Sequence, residues 1–156
     1  MKILNANPGM SQPMTENGLK TFLESEKLNM HIGTVANSNQ PNVHPVWYYY
    51  DGKANKLYFE TGTESKKLAN IRANKSVYFC IDTSVFPYKG VRGTGTARIS
   101  EDLKFNVPIS EKLMLRYLGS LEHPMAQQLL GYAKSGDQLT VEITPKYFST
   151  WDFSPS

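Results

Sequence analysis

The densest group of chemically useful side chains is the segment Glu60-Thr-Gly-Thr-Glu-Ser-Lys-Lys67. A strand-like run ends there, a glycine turn follows, and a helix is predicted over residues 65–73. Two hydroxyl groups, two ammonium groups and the free amides of a helix N-terminus are the donors that a phosphate monoester requires. The same residues also fit a capped surface helix with two solvated lysines, so both interpretations stay open at this stage.

The aromatic run Val46-Trp-Tyr-Tyr-Tyr50 is a second candidate surface. Strand alternation predicts that Trp47 and Tyr49 face one side, and that Val46, Tyr48 and Tyr50 face the other. A flat heteroaromatic ring can pack on such a surface, but aromatic residues also fill cores and dimer contacts.

Trp151, close to the C-terminus, has similar alternatives. It can be a core anchor, a dimer-interface residue or a contact to the edge of a cofactor ring. No spacing in the sequence separates these three roles.

Metal and nucleophile chemistry have little support in the sequence. His31, His44 and His123 lack metal-ligand spacing. Cys80, the one cysteine, falls in an apolar strand, where a buried structural role is expected. Residues 90–95 contain spaced glycines but form no dinucleotide fingerprint, because they lie within a strand and do not open a helix.

Most of the elements that must position these residues are strands. Strands are predicted over residues 30–36, 43–50, 56–61, 77–82, 90–99 and 138–151. Helices are predicted over residues 16–27, 65–73, 110–118 and 124–134. This pattern indicates a mainly β protein with peripheral helices, in which the strands form a closed antiparallel barrel, with an open α+β sheet as the alternative.

Three glycines in one predicted strand bear on that barrel. Gly90, Gly93 and Gly95 fit either the tight curvature of a small barrel or the close approach of a ligand.

Composition limits the class of protein. The chain has 156 residues, of which 40% are hydrophobic and 20% charged, as expected for one globular domain. Residues 1–14 are predicted to be a flexible leader and residues 15–156 a single domain. The net charge of +3 does not favour nucleic acid. No apolar run is long enough to span a bilayer and no secretory signal is evident, so we expect a cytoplasmic protein with no membrane association.

Three stretches, taken in order, resemble the pyridoxamine 5'-phosphate oxidase-like family of FMN-binding split β-barrels. Thr61-Gly-Thr-Glu-Ser-Lys-Lys67, followed by Asn70, is similar to the family's Thr-x-x-x-Ser-(Arg/Lys)-Lys segment. Pro41-Asn-Val-His-Pro-Val-Trp-Tyr-Tyr49 is similar to the strand that lies along the flavin. Residues 145–151 match the spacing of the closing strand, and Lys89-Gly-Val-Arg92 lies between. The likeness covers residues 15–153 and implies a six-stranded antiparallel split β-barrel.

The resemblance implies a set of cofactor-binding residues. Those that would hold the FMN phosphate are Thr61, Ser65, Lys66 and Lys67. Those that would line the ribityl chain and ring, partly through backbone groups, are His44, Val46, Trp47, Tyr48 and Tyr49. Gly90 stands where the family often has a glutamine that approaches the flavin. Trp151 would reach the ring edge from the second subunit of a homodimer.

Departures from the family pattern bear on activity. Only Asp152-Phe-Ser-Pro-Ser156 follows the tryptophan, where true pyridoxamine phosphate oxidases continue into a basic Arg-x-His segment. His44 and Tyr49 stand where the family has an arginine and a lysine in the strand that lies along the cofactor. The resemblance therefore implies a homodimeric FMN-binding oxidoreductase that acts on a small substrate other than pyridoxamine phosphate. No catalytic acid or base is identified.

Other functions within the same resemblance remain open. The nearest is a reductase that uses the deazaflavin coenzyme in place of FMN. Another is a non-catalytic flavin carrier or sensor. A weaker alternative is haem binding, with His31 or His44 as the ligand.

Overall fold

The computed structural model describes residues 1–155, which form nine strands and four helices. The strands are β1 (Ile3–Asn5), β2 (Met30–Val35), β3 (Pro41–Val46), β4 (Tyr49–Asp51), β5 (Lys56–Gly62), β6 (Ser76–Asp82), β7 (Lys89–Ser100), β8 (Gln138–Pro145) and β9 (Phe148–Asp152). The helices are α1 (Glu16–Ser25), α2 (Lys66–Ala73), α3 (Leu103–Leu118) and α4 (Pro124–Ser135). Within the described residues, no helix is long and apolar enough to cross a membrane.

The strands form one sheet in the order β3-β2-β6-β7-β8-β5-β4, in which every neighbouring pair is antiparallel. Strand β9 adds to the first half of β7, and β1 pairs with β9 in parallel. The two ends of the path, β3 and β4, are consecutive in the chain, but no backbone ladder joins them among the described residues. The ladder therefore does not close completely into a barrel.

Two apolar clusters lie on opposite faces of this sheet. The main core contains Phe59, Phe79 and Phe148 from the strands, and it is closed by Leu19 and Leu23 of α1. The second cluster packs α3 and α4 against the other face of β5; it is formed by Tyr58, Ile109, Leu113, Met114, Ala126 and Leu130. The alternation Tyr58 outward and Phe59 inward shows why β5 separates the clusters, since successive side chains of a strand face opposite sides.

The sheet has nine strands where the sequence predicted six, because two predicted strands each break into two and β1 is added. The predicted strand 43–50 breaks at Trp47 and Tyr48, where the Tyr48 N–H donates to the Tyr117 hydroxyl at 3.2 Å. The predicted strand 138–151 breaks after Pro145, which has no N–H to donate. The next N–H, of Lys146, still reaches Thr94 on β7.

Residues 1–14 differ from the predicted flexible leader. Ile3–Asn5 form β1, which runs parallel to Phe148–Thr150. The Met14 side chain is buried in the main core, and its N–H donates to Thr150 Oγ1 at 2.9 Å. The segment is thus packed onto the sheet by long-range contacts. Its proline and glycine content indicated a loop and gave no sign of these contacts.

Helix α3 begins seven residues before the predicted start at residue 110. Asp102 caps it by accepting the N–H of Lys104 at 3.0 Å, and the first turn carries the partly buried Phe105. The added turns extend the helix along the face of β5 and β8.

Candidate functional site

The candidate site is built around the turn that connects β5 to α2. Ser65 caps α2 by accepting the N–H of Leu68 at 3.2 Å, and it accepts the hydroxyl of Thr61 at 2.7 Å. The turn is fixed by the Ser65 N–H to Gly62 oxygen bond and by the Thr63 N–H to Asp137 oxygen bond, both of 3.0 Å. Thr61 is buried and its hydroxyl is engaged, so it orients Ser65, whose own hydroxyl proton remains available.

The N-terminus of α2 supplies positive charge at this turn. The N–H groups of Lys66 and Lys67 belong to the first turn, where a helix has no internal acceptors for them. Lys66 is exposed, whereas Lys67 is half-buried. Asn70, from the same motif, is buried and donates to Thr34 Oγ1 at 3.0 Å, which ties the helix to β2. The helix is therefore held in place by a separate contact.

His44 lies close to these lysines although it comes from β3. Partial burial, together with the ammonium groups of Lys67 and Lys66, lowers the pKa of His44. Its Nε2 atom is buried and has no hydrogen-bond partner among the described residues. The lowered pKa favours the neutral imidazole, and no group of the described chain satisfies its Nε2 atom.

The aromatic run follows the predicted alternation. Val46, Tyr48 and Tyr50 pack on the main core, and Trp47 and Tyr49 pack on the α3–α4 cluster. Trp47 stacks on Tyr117 with ring centroids 4.8 Å apart and planes 2° apart. Its position is therefore fixed.

The side chain of Tyr48 is a core residue, which leaves its backbone groups for the contact that the family resemblance implies. The side chain has no exposed surface, and its hydroxyl donates to the Leu23 oxygen at 3.0 Å. The Arg116 guanidinium lies 4.8 Å from the ring centroid. The side chain is thus fully occupied by the protein, and burial raises the pKa of Tyr48.

A cavity of about 440 Å³ opens beside the turn that connects β5 to α2. Three of the sequence-predicted residues line it, namely Val46, Trp47 and Lys67. The rest of its wall is formed by Asn29, Pro45, Glu60, Leu113, Met114, Leu129 and Gln138. Tyr49 does not line this cavity; the Lys112 ammonium lies 4.8 Å from the centroid of its ring.

Glu60 is the ionisable cavity residue that sequence reasoning did not assign. It is largely buried, and burial raises its pKa to about 7. The Ser110 hydroxyl opposes this rise, but its geometry falls short of a hydrogen bond, and Oε1 has no partner among the described residues. The available signal was strand alternation, which places Glu60 on the same face of β5 as Tyr58, under α3.

Gly90 and Trp151 are brought together, but away from the cavity. They are direct partners in the β7–β9 ladder, and a Cβ built on Gly90 would lie 2.2 Å from Trp151 Cζ2. At Gly93 a Cβ would lie 2.2 Å from the Tyr147 oxygen. Because these two glycines lack side chains, residues 147 and 151 can pack closely against β7. This close packing explains the glycines without a ligand. Neither Gly90 nor Trp151 lines the cavity within one chain.

A mainly antiparallel sheet with an incompletely closed ladder and four helices defines a split β-barrel, the fold shared with solved structures over nearly the whole chain. The chain belongs to the pyridoxamine 5'-phosphate oxidase family, whose sequence profile matches residues 16–152. The fold class and the family resemblance predicted from the sequence are both confirmed.

Several solved structures share the fold. The conserved hypothetical protein Rv2991 from Mycobacterium tuberculosis is 22% identical, with a TM-score of 0.78 over 96% of this chain and 94% of its own. An F420 reductase is 28% identical, with a TM-score of 0.66 over 83% and 94%. HutZ, the haem storage protein from Vibrio cholerae, is 13% identical, with a TM-score of 0.65 over 85% and 92%. A search of curated proteins finds no significant match to the sequence.

Proposed function

We propose that the protein is a cytoplasmic oxidoreductase that binds FMN by its phosphate at the N-terminus of α2. The observation that carries this proposal is the turn at the N-terminus of α2, where Ser65 caps the helix and is followed directly by Lys66 and Lys67. His44, over 20 residues away in sequence, lies near enough to these lysines for their charges to lower its pKa. Two ammonium groups, a helix N-terminus and an unbonded imidazole nitrogen form a strong dianion site.

The proposed phosphate anchor consists of five residues, each with a distinct role: His44, Thr61, Ser65, Lys66 and Lys67. Lys66 and Lys67 pair with the phosphate charge, and Ser65 donates its hydroxyl proton. Thr61 positions Ser65 through the 2.7 Å bond and does not touch the ligand. The negative charge of the phosphate would raise the pKa of His44, and the protonated imidazole would then donate a hydrogen bond to it.

The adjoining cavity suits the remainder of the cofactor or a substrate. Trp47, held flat against Tyr117, offers a rigid aromatic surface, and Leu113 and Met114 exclude water from the same space. The bound flavin would supply hydride or electron transfer, and the protein would supply orientation and electrostatics.

A reductase that uses the deazaflavin coenzyme is the second candidate. The similarity to an F420 reductase, at 28% identity, favours it. The anchor residues would contact a phosphate group in either cofactor, so the residues described above do not discriminate between them.

We also propose a homodimer. Trp151 and Gly90 lie outside the cavity of their own chain, so a contact of Trp151 to the cofactor requires a second copy. The exposed Val85, Phe86 and Tyr88, which lie between β6 and β7, are apolar surface that a subunit contact would cover.

The visible spectrum of the purified protein and the mass of the extracted cofactor test the proposal. We expect FMN, or the deazaflavin coenzyme for the second candidate, at one molecule per chain. Oxidation of a reduced nicotinamide with an added electron acceptor would then separate an enzyme from a carrier. A Soret band, or failure of the empty protein to bind either cofactor, would contradict the proposal.

A further inference from the structure

A row of polar side chains crosses the sheet beneath α3. Glu60 on β5 lies opposite Thr140 on β8, and Thr140 lies opposite Ser100 on β7. Residues that are opposite one another in an antiparallel ladder share a face of the sheet, so the three side chains stand side by side. Thr140 and Ser100 are buried, whereas Glu60, at the end of the row, also lines the cavity beside the β5–α2 turn.

Helix α3 covers both ends of this row. Asn106 Nδ2 donates to the backbone oxygen of Ser100 at 2.8 Å. Ser110 is one helical turn further along, close enough to Glu60 for its hydroxyl to oppose the rise in the pKa of that carboxyl. Neither Asn106 nor Ser110 has exposed surface. We refer to Glu60, Asn106, Ser110 and Thr140 as the α3 polar cluster.

The oxygen atoms of the α3 polar cluster lack partners. Glu60 Oε1, Asn106 Oδ1, Ser110 Oγ and Thr140 Oγ1 are all buried, and none has a hydrogen-bond partner among residues 1–155. Four of the seven buried, unpartnered side-chain atoms of the described chain thus lie in one place. Because buried polar atoms are nearly always bonded to protein or to ordered water, this concentration points to a bound ligand.

The chemistry of these four atoms fits water. The hydroxyl groups of Ser110 and Thr140 both donate and accept, whereas Asn106 Oδ1 only accepts. Glu60 accepts when it is ionised and donates when it is protonated. Water bonds two to four such groups at once, so it can serve the cluster in either protonation state of the carboxyl.

Charged groups on the neighbouring strands are occupied elsewhere. Tyr58, on the same face of β5, has a pKa raised to about 12 and stays neutral. Glu142 of β8 accepts from Lys56 Nζ at 2.9 Å and from Arg98 of β7 at 3.2 and 3.3 Å, so its charge is compensated. The protonation of Glu60 is therefore governed by its burial and by the cluster.

The helices and β3 place few other charges towards Glu60. On α3, Glu111 follows Ser110 but lies about 100° further around the helix, and the Lys112 ammonium lies 4.8 Å from the centroid of the Tyr49 ring. Helix α4 contributes the uncharged Leu129 to the cavity wall.

Lys67 of α2 is the cation that lines the same cavity as Glu60. The imidazole of His44 on β3 lies near Lys67, and its pKa is lowered. In the proposed function both groups bind the cofactor phosphate. A bound phosphate therefore cancels the positive charge on this side of the cavity.

We propose that Glu60 is a proton-holding residue of the cofactor site, which takes up a proton when the cofactor phosphate binds, and that water bound by Asn106, Ser110 and Thr140 delivers this proton. The inference rests on the proposed function in one respect, since the phosphate adds negative charge at Lys67, and negative charge favours a neutral carboxyl nearby. The O–H bond of the carboxyl forms as that of a hydronium ion in the water breaks, and no electrons are transferred.

Infrared difference spectra of the wild-type and Glu60→Gln proteins test the inference. Ordinary carboxyl groups are ionised at about pH 6.5, so a protonated-carboxyl band that Glu60→Gln lacks at this pH belongs to Glu60. In the free protein the band should be half-formed near pH 7, because burial raises the pKa of Glu60 to about 7. With FMN bound to both proteins, which cancels the carbonyl bands of the flavin, the midpoint should move upward by about one pH unit.

Thr140→Val tests the water directly, because it removes one oxygen of the cluster with little change in volume. The ionised carboxyl then loses a water-mediated hydrogen bond, so the midpoint of the Glu60 band should move upward by about 0.5–1 pH unit. Thr96→Val, at an exposed threonine of β7, is the matched control and should leave the midpoint unchanged.

Glu64→Gln is the control for Glu60→Gln, because Glu64 lies in the same segment but outside the cluster. It should keep the band. If Glu60→Gln does not fold, ¹³C labelling of the glutamates identifies the band in the wild-type protein, since the label shifts a glutamate band and not those of the flavin.

Three results would overturn the inference. The first is the absence of a Glu60 band at pH 6.5 in the FMN-loaded protein, and the second is a Thr140→Val protein with the wild-type midpoint. The third is a band that disappears on addition of Na⁺, which would identify a cation in the cluster.

The same spectra separate this inference from the proposed function. FMN binding that leaves the midpoint of the Glu60 band unchanged would overturn the inference and leave the phosphate anchor supported. A protein that does not bind FMN, but whose Glu60 band depends on Thr140 and moves upward in inorganic phosphate, would support the proton site and contradict the flavin proposal.

Discussion

The indole of Trp151 lies across Gly90, its direct partner in the β7–β9 ladder, where a Cβ would come within 2.2 Å of Cζ2 and 2.6 Å of Cε2. Asp82, opposite Gly90 on β6, narrows the same space from the other side, with its Cβ at 2.8 Å. The absence of a side chain at residue 90 thus allows the tryptophan to lie on the sheet.

Gly90→Ala should therefore destabilise the protein by about 1–3 kcal/mol, because the added methyl group displaces the indole or the backbone. In the double variant with Trp151→Ala most of that clash is gone, so the two effects should be coupled by about 0.5–3 kcal/mol. Urea unfolding of the four proteins in the cycle measures this coupling. Simple additivity would show that the indole does not lie on Gly90.

The unpaired carboxyl of Glu60 should make stability depend on pH. Its folded pKa of about 7 exceeds the ordinary glutamate pKa of 4.5, so the folded state holds more protons between these two pH values. The contribution of Glu60 to stability is then fully present below pH 4.5 and is lost as the pH rises through 7. Glu60→Gln should be more stable than the wild type at pH 8, by up to about 3 kcal/mol, but not at pH 5.

Glu142→Gln provides the comparison, since the pKa of Glu142 is lowered whereas that of Glu60 is raised. It should destabilise the protein by about 1–2 kcal/mol at pH 8, where the wild-type ion pairs with Lys56 and Arg98 are intact. Chemical unfolding at the two pH values distinguishes the variants. A Glu60→Gln protein that loses stability at pH 8 would show that this carboxyl is paired.

His44 should link phosphate binding to proton uptake. Burial, Lys67 and Lys66 lower its pKa in the free protein, and a bound phosphate raises it again by adding negative charge. FMN affinity should therefore increase about three- to tenfold from pH 8 to pH 6.5, until protonation of the phosphate itself reverses the trend. Calorimetry should show a much flatter profile for His44→Gln; an unchanged profile would remove His44 from the anchor.

The first strand should contribute to stability. The Ala6 N–H donates to the Thr150 oxygen, and the Phe148 N–H donates to the Lys2 oxygen. Deletion of residues 1–5 removes much of this ladder and should cost about 1–3 kcal/mol. A melting temperature equal to that of the full chain would instead support the flexible leader predicted from the sequence.

Local signals predicted much of the fold. Thr15 and Ser65 are of the residue types that cap helices, and both accept a backbone N–H near the predicted helix starts at residues 16 and 65. Alternation correctly separated Trp47 and Tyr49 from Tyr48 and Tyr50. These features depend on neighbouring residues, which a single sequence displays directly.

The rest depends on partners that are distant in the chain. Tyr48 lies between β3 and β4 because its N–H bonds the hydroxyl of Tyr117, 69 residues away, and not a neighbouring strand. Gly90 is explained by Trp151, and the burial of Glu60 depends on α3. Alternation indicates which face of β5 Glu60 occupies, but neither composition nor periodicity shows the helix that covers it or the other two pairings, because tertiary packing decides them.

Comparison of FMN with riboflavin tests the phosphate anchor most directly, since the two differ only in the phosphate. Titration of the empty protein should give an affinity for FMN at least tenfold higher. Lys67→Ala should weaken FMN binding about ten- to hundredfold, through loss of about 1.5–3 kcal/mol, and leave riboflavin unaffected. Lys75→Ala, which removes an exposed lysine beyond α2, is the control for net charge. Equal affinities for FMN and riboflavin, or an unchanged FMN affinity in Lys67→Ala, would contradict the account.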